Sequence, residues 1–344
     1  MRVLRLHGPK DLRMHEEPMP QPGPGEVRLR ITSVGVCASD LHYYRDGRIG
    51  TTVLTEPLVI GHEAAGVVDA VGEGVTSHKI GERVAIEPTN ACGECVFCRE
   101  GHYNVCPNVE FFGTPPQDGC FREYLNWPAK LAMKIPDTMS DDEAAIIEPL
   151  AVGVHAARLA KLAGGETVGV LGAGAIGLSV LQAAKAMGAG RVIVSEPVKA
   201  RRELAAKLGA SEVIDPSACD AAKEFCRLTD DLGPEVVFEC VGEDGASMEA
   251  AKIVRILGKV VIVGIPDNDL YTFAASSTRR KELTVIFCRR SNEAAEAAIK
   301  WVAEGKMDAR SMATHRFPLE ETGKAMELAT AKEDGVVRAI IAVS

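Results

Sequence analysis

The sequence predicts an α/β protein: a mostly-β region drawn from both ends of the chain, and between them a doubly wound sheet of parallel strands. Three observations carry this. From residue 1 to about 150, short β-rich runs are broken by Gly and Pro. From about 155 to 288, apolar strands alternate with helical stretches. After Ser291 too little chain remains to fold alone. At 344 residues, two domains are the natural expectation. The mostly-β domain is placed at 1–154 and 290–344, and the parallel-sheet domain at 155–289.

In the first region, Val27-Arg28-Leu29-Arg30-Ile31 and Ala65-Gly66-Val67-Val68-Asp69-Ala70-Val71 read as strands. The second runs into Gly72-Glu73-Gly74, a turn signal. In the second region, strands rich in β-branched residues fall at Thr167–Leu171, Arg191–Ser195, Glu212–Ile214, Glu235–Cys240, Lys259–Gly264 and Leu283–Phe287. Helical patterns lie between most of them, at Ile176–Met187, Lys199–Leu208, Ala221–Thr229 and Ala246–Leu257. Six such strands suit a full dinucleotide-binding (Rossmann) fold. A helix with an apolar face follows Ser291 as far as about Gly305. The strand-like Arg338–Val343 closes the chain and is expected to rejoin the first region.

Composition narrows the function classes. A hydrophobic share of 46% and a charged share of 25% are those of a globular protein. The net charge is −9, and no long basic block is present, which argues against nucleic acid or an anionic membrane surface as a partner. The N-terminus has no apolar core of signal-peptide length. Residues 168–184 are almost uncharged, but Gly169, Gly172, Gly174 and Gly177 make them a strand turning into a helix rather than a membrane span. A cytoplasmic enzyme is the default. Its ten cysteines then need a reading other than disulfides, because the cytosol keeps thiols reduced.

Gly172-Ala173-Gly174-Ala175-Ile176-Gly177 is G-x-G-x-x-G, preceded by a strand and opening a helix. The three glycines serve a tight turn, close backbone approach to a pyrophosphate, and close helix–strand packing. The helix N-terminus favours the phosphate charge. Glu196, at the end of the next strand, is expected to accept hydrogen bonds from the adenosine ribose and to repel a 2′-phosphate, which favours NAD over NADP. Arg201 and Arg202 on the following helix are the reservation, since either could accommodate a phosphate.

Cys92, Cys95, Cys98 and Cys106 form C-x2-C-x2-C-x7-C. Four thiolates at this density suit a closed tetrahedral zinc site, with an iron–sulfur cluster as the metal alternative. The loop has little apolar content, so metal binding is what orders it. Cys37, His62, Glu63 and Glu148 are each ambiguous alone, and spacing cannot prove that segments so far apart meet.

The order Cys37, then Gly61-His62-Glu63, the four-Cys lobe and G-x-G-x-x-G resembles the zinc-containing medium-chain dehydrogenase/reductase family over essentially the whole chain. Several stretches resemble its sorbitol and polyol dehydrogenases. They are Cys37–Tyr44 with Gly47-Arg48-Ile49-Gly50, then Thr114–Gly119, Glu148–Gly153 and Thr314–Glu320. The resemblance implies a GroES-like, mostly-β catalytic domain built around an inserted Rossmann domain. It implies a catalytic zinc held by Cys37, His62 and Glu63, with Glu148 bound directly or through water, and a structural zinc in the four-Cys lobe. Which of Glu63 and Glu148 is the inner oxygen ligand stays open. An open site keeps a position for water or substrate, unlike the closed lobe.

The implied reaction is oxidation of a zinc-polarised hydroxyl with hydride transfer to the nicotinamide. Ser39 and His42 are implied as a proton relay and Glu148 as a base, with a surface role the alternative for His42. Tyr43, Phe112, Glu148 and Arg289 match positions that line the substrate site. Gly172, Gly174, Ala175, Ile176, Gly177, Glu196, Arg201, Val241, Val263, Gly264 and Phe287 are expected to contact NAD. Arg290 departs from the animal enzymes, which have Tyr there; it either faces solvent or favours another polyol or a sugar acid. A polyol such as sorbitol, xylitol or galactitol is the leading substrate, with threonine, 2,3-butanediol and sugar-acid dehydrogenases as alternatives. A zinc-free reductase or a non-enzymatic relative is disfavoured, because no metal ligand or loop glycine is lost. The resemblance favours a homotetramer.

Overall fold

The computed structural model describes residues 1–344 as two compact units. One comprises Met1–Glu148 with Ala309–Ser344, the other Pro149–Asp308.

The first unit is built on a sheet of seven strands. Its main path runs Ala132–Lys134, Arg83–Ile86, Glu63–Val71, Glu26–Gly35, Arg338–Ala342, Ala313–Pro318, with Tyr124–Pro128 also pairing with Glu26–Gly35. The long Glu26–Gly35 strand alternates at first and is then wholly buried, as a central strand should be. The C-terminal strand does rejoin this region: Ile340 pairs with Gly35, and Gly35 with Glu63. That register gathers the end of one strand and the starts of two others at one edge of the sheet. A core including Val27, Leu29, Ile31, Phe112, Phe121 and Ile341 fixes it.

The second unit holds a six-stranded, all-parallel sheet. Its order is Glu212–Ile214, Arg191–Ser195, Thr167–Leu171, Val236–Glu239, Lys259–Ile262, Thr284–Phe287. This is the doubly wound 3-2-1-4-5-6 order, whose ligands bind beyond the carboxyl ends of the strands. Helices Ala175–Ala186, Lys199–Lys207, Ala221–Leu228 and Ala246–Ile253 connect the strands. The last is shorter than its apolar pattern suggests, because Val254 turns extended at ψ 144°.

The seams differ from the sequence reading, which put them at 154/155 and 289/290. Three contacts explain the shift. Helix Ile147–Ala160 packs so closely on its neighbour that a Cβ at Gly153 would lie 2.5 Å from the Ser179 carbonyl carbon. The stretch after residue 289 is tied to the same unit: Arg158 Nη1 donates to the Glu293 carbonyl at 2.6 Å, and the Asp308 N–H donates to Gln182 at 2.5 Å. No helix is long and apolar enough to cross a membrane.

Candidate metal centre and dinucleotide loop

Cys37 lies just past the Glu26–Gly35 strand, as the residue preceding helix Ala38–Asp46. Glu63 opens its strand, and Arg338 opens the C-terminal one. The donor atoms of Cys37, His62 and Glu63 therefore come within 4.8 Å of one another, although 26 positions of chain separate the first from the last.

Asp40 sets this arrangement. It is fully buried, and its carboxylate accepts the N–H of Cys37 at 2.9 Å and of Gly61 at 3.0 Å. It also lies 3.6 Å from His62 Nδ1. One side chain thus pins the backbone beside two of the three donors. Ser39 Oγ is 3.4 Å from the other ring nitrogen of His62, and Phe111 tilts against the ring with centroids 5.3 Å apart.

The electrostatics call for a cation. Asp40 and Glu63 are fully buried, Glu87 nearly so, and Glu148 stands within their electrostatic reach. The buried Arg338 guanidinium faces Glu63, Cys37, Glu148 and Asp40, one positive charge against several acids. Its Nε is 3.0 Å from Glu63 Oε2 but off the hydrogen-bond axis, so both Glu63 oxygens and Arg338 Nε lack a hydrogen bond, as does His62 Nδ1. Buried polar atoms left this way cost about 1–3 kcal/mol each. Burial would lower His62, yet Asp40 and Cys37 hold its pKa well above the ordinary value. Burial pushes Glu148 up to about 8; His62 opposes this, and Glu63 and Glu87 add to it. One thiol, one imidazole and one or two carboxylates with orphaned atoms fit a divalent metal such as zinc. Glu148 does not join the 4.8 Å trio.

The second cluster is self-contained. Sulfur–sulfur separations are 4.0 Å for Cys92–Cys98, 3.9 Å for Cys95–Cys106 and 3.5 Å for Cys92–Cys106. A tetrahedron of thiolates about ~2.3 Å from one zinc has edges of about 3.8 Å. Disulfides, with S–S of about 2.05 Å, do not fit. All four sulfurs lie within 4.8 Å of one another, which leaves room for one ion and not for a multi-iron cluster.

In the second unit, each loop glycine has its own reason. Gly172 has φ 88°, a left-handed turn. A Cβ at Gly177 would sit 1.9 Å from the Gly172 carbonyl oxygen. A Cβ at Gly174 would meet nothing within 4 Å: the space beside it is open, as a pyrophosphate cradle requires. Glu196 is 3% exposed; its carboxylate accepts the N–H of Ala173 at 2.7 Å and of Val198 at 2.9 Å. The acid therefore braces the loop as well as standing at the strand end. Val241, Val263, Gly264 and Phe287 all fall at or just beyond the carboxyl ends of their strands.

Other expected residues separate. His42 is half-buried on the helix of Ser39, its Nδ1 4.0 Å from Asp46. Tyr43 and Phe112, expected to line a substrate site, are 1% and 0% exposed in the first unit's core, with Phe112 edge-on to Trp127 at 5.0 Å. Arg289 is exposed. Arg290, for which solvent was one reading, is half-buried with φ 55°. The sequence reading missed Asp40, Phe111, Glu87 and Arg338. A charge inside the apolar run Val336-Val337-Arg338-Ala339-Ile340-Ile341 was the available signal for the last.

Comparison with known proteins agrees with this geometry. Residues 23–137 match the alcohol dehydrogenase GroES-like domain, and residues 175–304 match the zinc-binding dehydrogenase domain. The chain is 39% identical to the sorbitol dehydrogenase of Bacillus subtilis over 96% of its length and 93% of that protein. Among solved structures it is similar to an Escherichia coli oxidoreductase/dehydrogenase of unknown specificity, with a TM-score of 0.95 and 33% identity, covering 100% and 99% of the two chains. It is also similar to the L-idonate 5-dehydrogenase of Escherichia coli, with a TM-score of 0.91 and 26% identity, covering 99% and 98%.

Proposed function

The chain belongs to the zinc-containing medium-chain dehydrogenase/reductase family, and on that premise we propose that it oxidises a secondary hydroxyl of a polyol to the ketose with hydride transfer to NAD. The observation that carries this reading is the trio Cys37, His62 and Glu63, in a chain 39% identical to a sorbitol dehydrogenase. When bound, zinc would polarise the substrate hydroxyl and NAD would accept the hydride.

The chain's own residues divide the remaining work. Cys37 and His62 hold the metal, with Glu63 or Glu148 as the oxygen donor. Asp40 fixes the backbone at Cys37 and Gly61. Glu148 Oε is the acceptor we assign to the hydroxyl proton: burial and the neighbouring Glu63 and Glu87 strengthen its hold on a proton. Ser39 Oγ and His42, three residues apart on one helix face, pass a proton outward. Cys92, Cys95, Cys98 and Cys106 hold the structural zinc. Gly172, Gly174 and Gly177 with the N-terminus of helix Ala175–Ala186 cradle the pyrophosphate, and Glu196 faces the ribose.

Polyol preference follows from a site of polar groups, which rejects substrates lacking the matching hydroxyls more strongly than an apolar pocket can. A sugar acid is the second reading. The adjacent Arg289 and Arg290 and the similarity to an idonate dehydrogenase favour it. Zinc-replete protein assayed for NADH formation on four- to six-carbon polyols and aldonates decides between them. No turnover on any polyol defeats the leading reading. We further read the protein as a cytoplasmic homotetramer; sedimentation at working concentration tests the assembly.

A further inference from the structure

We propose that Asp215 sets cofactor specificity, by clasping Arg202 so that its guanidinium is withheld from a 2′-phosphate. This rests on the dinucleotide reading of the Gly172–Gly177 loop.

Arg202 lies in the first turns of helix Lys199–Lys207, shortly after strand Arg191–Ser195 and the Glu196 that follows it. In a doubly wound fold an arginine near this strand end is what receives the extra phosphate of NADP. Here its donors point elsewhere. Nη1 donates to the carbonyls of Glu196 at 2.8 Å and Pro197 at 2.6 Å, and Nη2 meets Asp215 Oδ2 at 2.7 Å. The edge formed by Nη1 and Nη2, which would grip a phosphate bidentately, is therefore committed.

Asp215 is well placed to hold it. It follows strand Glu212–Ile214, which pairs in parallel with Arg191–Ser195 and extends that ladder through the Glu196 N–H to the Ile214 carbonyl at 3.0 Å. The Ser217 N–H, at 2.9 Å, steadies its other oxygen. The clasp thus joins the carboxyl ends of two neighbouring strands. The side chains of Arg202 and Asp215 are 16% and 30% exposed, so the pair is partly shielded from screening. A 2′-phosphate carries roughly two negative charges. At this end of the sheet it would face the carboxylates of Glu196 and Asp215 and an arginine already occupied. Glu196 alone leaves the arginine question open; the clasp answers it for Arg202.

The full-length, zinc-loaded protein can be tested by calorimetry with two probes, 5′-AMP and 2′,5′-ADP, which need no turnover. Asp215→Asn is expected to raise the affinity for 2′,5′-ADP relative to AMP about tenfold, the scale of a freed charge-assisted pair. Adding Arg202→Met in that background is expected to remove most of the gain. Arg202→Met alone is expected to leave the ratio within about twofold, since the arginine is already withheld. A folded Asp215→Asn protein with an unchanged ratio overturns the proposal. So does an equal gain in the double variant, which would make the effect simple charge removal. If Asp215→Asn fails to fold, Arg202→Met decides alone: selective loss of 2′,5′-ADP binding would show that the arginine already serves a phosphate. Failure of the wild type to bind either probe would instead defeat the dinucleotide reading, and this inference with it.

Discussion

Asp40 shows how much a single buried side chain governs here. Its two oxygens are spent on the backbone of Cys37 and Gly61 and stand close to His62. Asp40→Asn keeps the volume but replaces one acceptor with a donor that faces an N–H. Groups that orient metal ligands typically change affinity 10- to 100-fold, so zinc affinity at this centre should fall by about that range. Competition with a chelator measures it, and an unchanged affinity would show that Asp40 does not position the donors. Gly174 supports a complementary prediction. With nothing within 4 Å of its absent Cβ, Gly174→Ala should fold normally yet fill the cradle. AMP binding should then persist while NAD binding weakens by about tenfold or more, because the pyrophosphate can no longer approach the backbone. Equal weakening of both would place the fault elsewhere. These two residues also mark what sequence makes visible. The glycine loop is local, with strand, turn and helix contiguous, so its chemistry could be read from its flanks. Asp40 and Arg338 act across segments 21 and 275 positions distant, at Gly61 and Glu63, and no spacing rule reaches that far.

At the scale of elements, capping decides where helices begin. Ser140 and Glu143 form a reciprocal box at the start of helix Asp141–Ala145: Ser140 Oγ accepts the Glu143 N–H at 3.2 Å, and Glu143 accepts the Ser140 N–H at 2.8 Å. Ser140→Ala should cost about 1 kcal/mol. Burial would raise the Glu143 carboxyl, but its bonds from Ser140 and the nearby Arg310 leave it below its ordinary value. A carboxyl depressed in the folded state adds stability above its unfolded pKa of about 4.3, and that stability is lost as pH falls through the folded value. The melting difference between wild type and Glu143→Gln should therefore be full at neutral pH and shrink below about pH 4. A difference that persists at low pH would show that charge is not its source. Helix Ile147–Ala160 was the element the sequence hid. Its Pro149 is tolerated because proline in a first turn removes only an N–H that lacks a partner there anyway. The parallel strands were legible because each is a short β-branched run between helical periods. Thr167–Leu171, Arg191–Ser195 and Glu212–Ile214 match the expected bounds, while the other three strands are shorter by one or two residues, as Val236–Glu239, Lys259–Ile262 and Thr284–Phe287.

On the scale of the whole chain, the two units have unequal dependence on continuity. Pro149–Asp308 is one unbroken segment with its own core of Leu171, Ile193, Phe225, Val237 and Val260. Being continuous in sequence and holding its own core, residues 149–308 expressed alone should melt cooperatively and bind 5′-AMP within about threefold of the full chain. The first unit is assembled from both ends. Its strand Arg338–Ala342 lies between Glu26–Gly35 and Ala313–Pro318, and Arg338 supplies the guanidinium facing the metal-site acids. Removing residues 338–344 exposes unpaired edges on both neighbours and leaves the buried Glu63 without its counter-charge; loss of one partner of such a pair costs about 3–5 kcal/mol. The truncated protein should therefore lose the metal at Cys37 and His62, and with it turnover, while AMP binding survives. Metal content, a melting curve and AMP calorimetry on the two proteins read these effects separately. If the isolated 149–308 segment shows no cooperative transition, the second unit depends on the first and the division fails. If the truncated chain still holds zinc at the Cys37 site with normal affinity, neither the strand nor Arg338 is needed to assemble the centre.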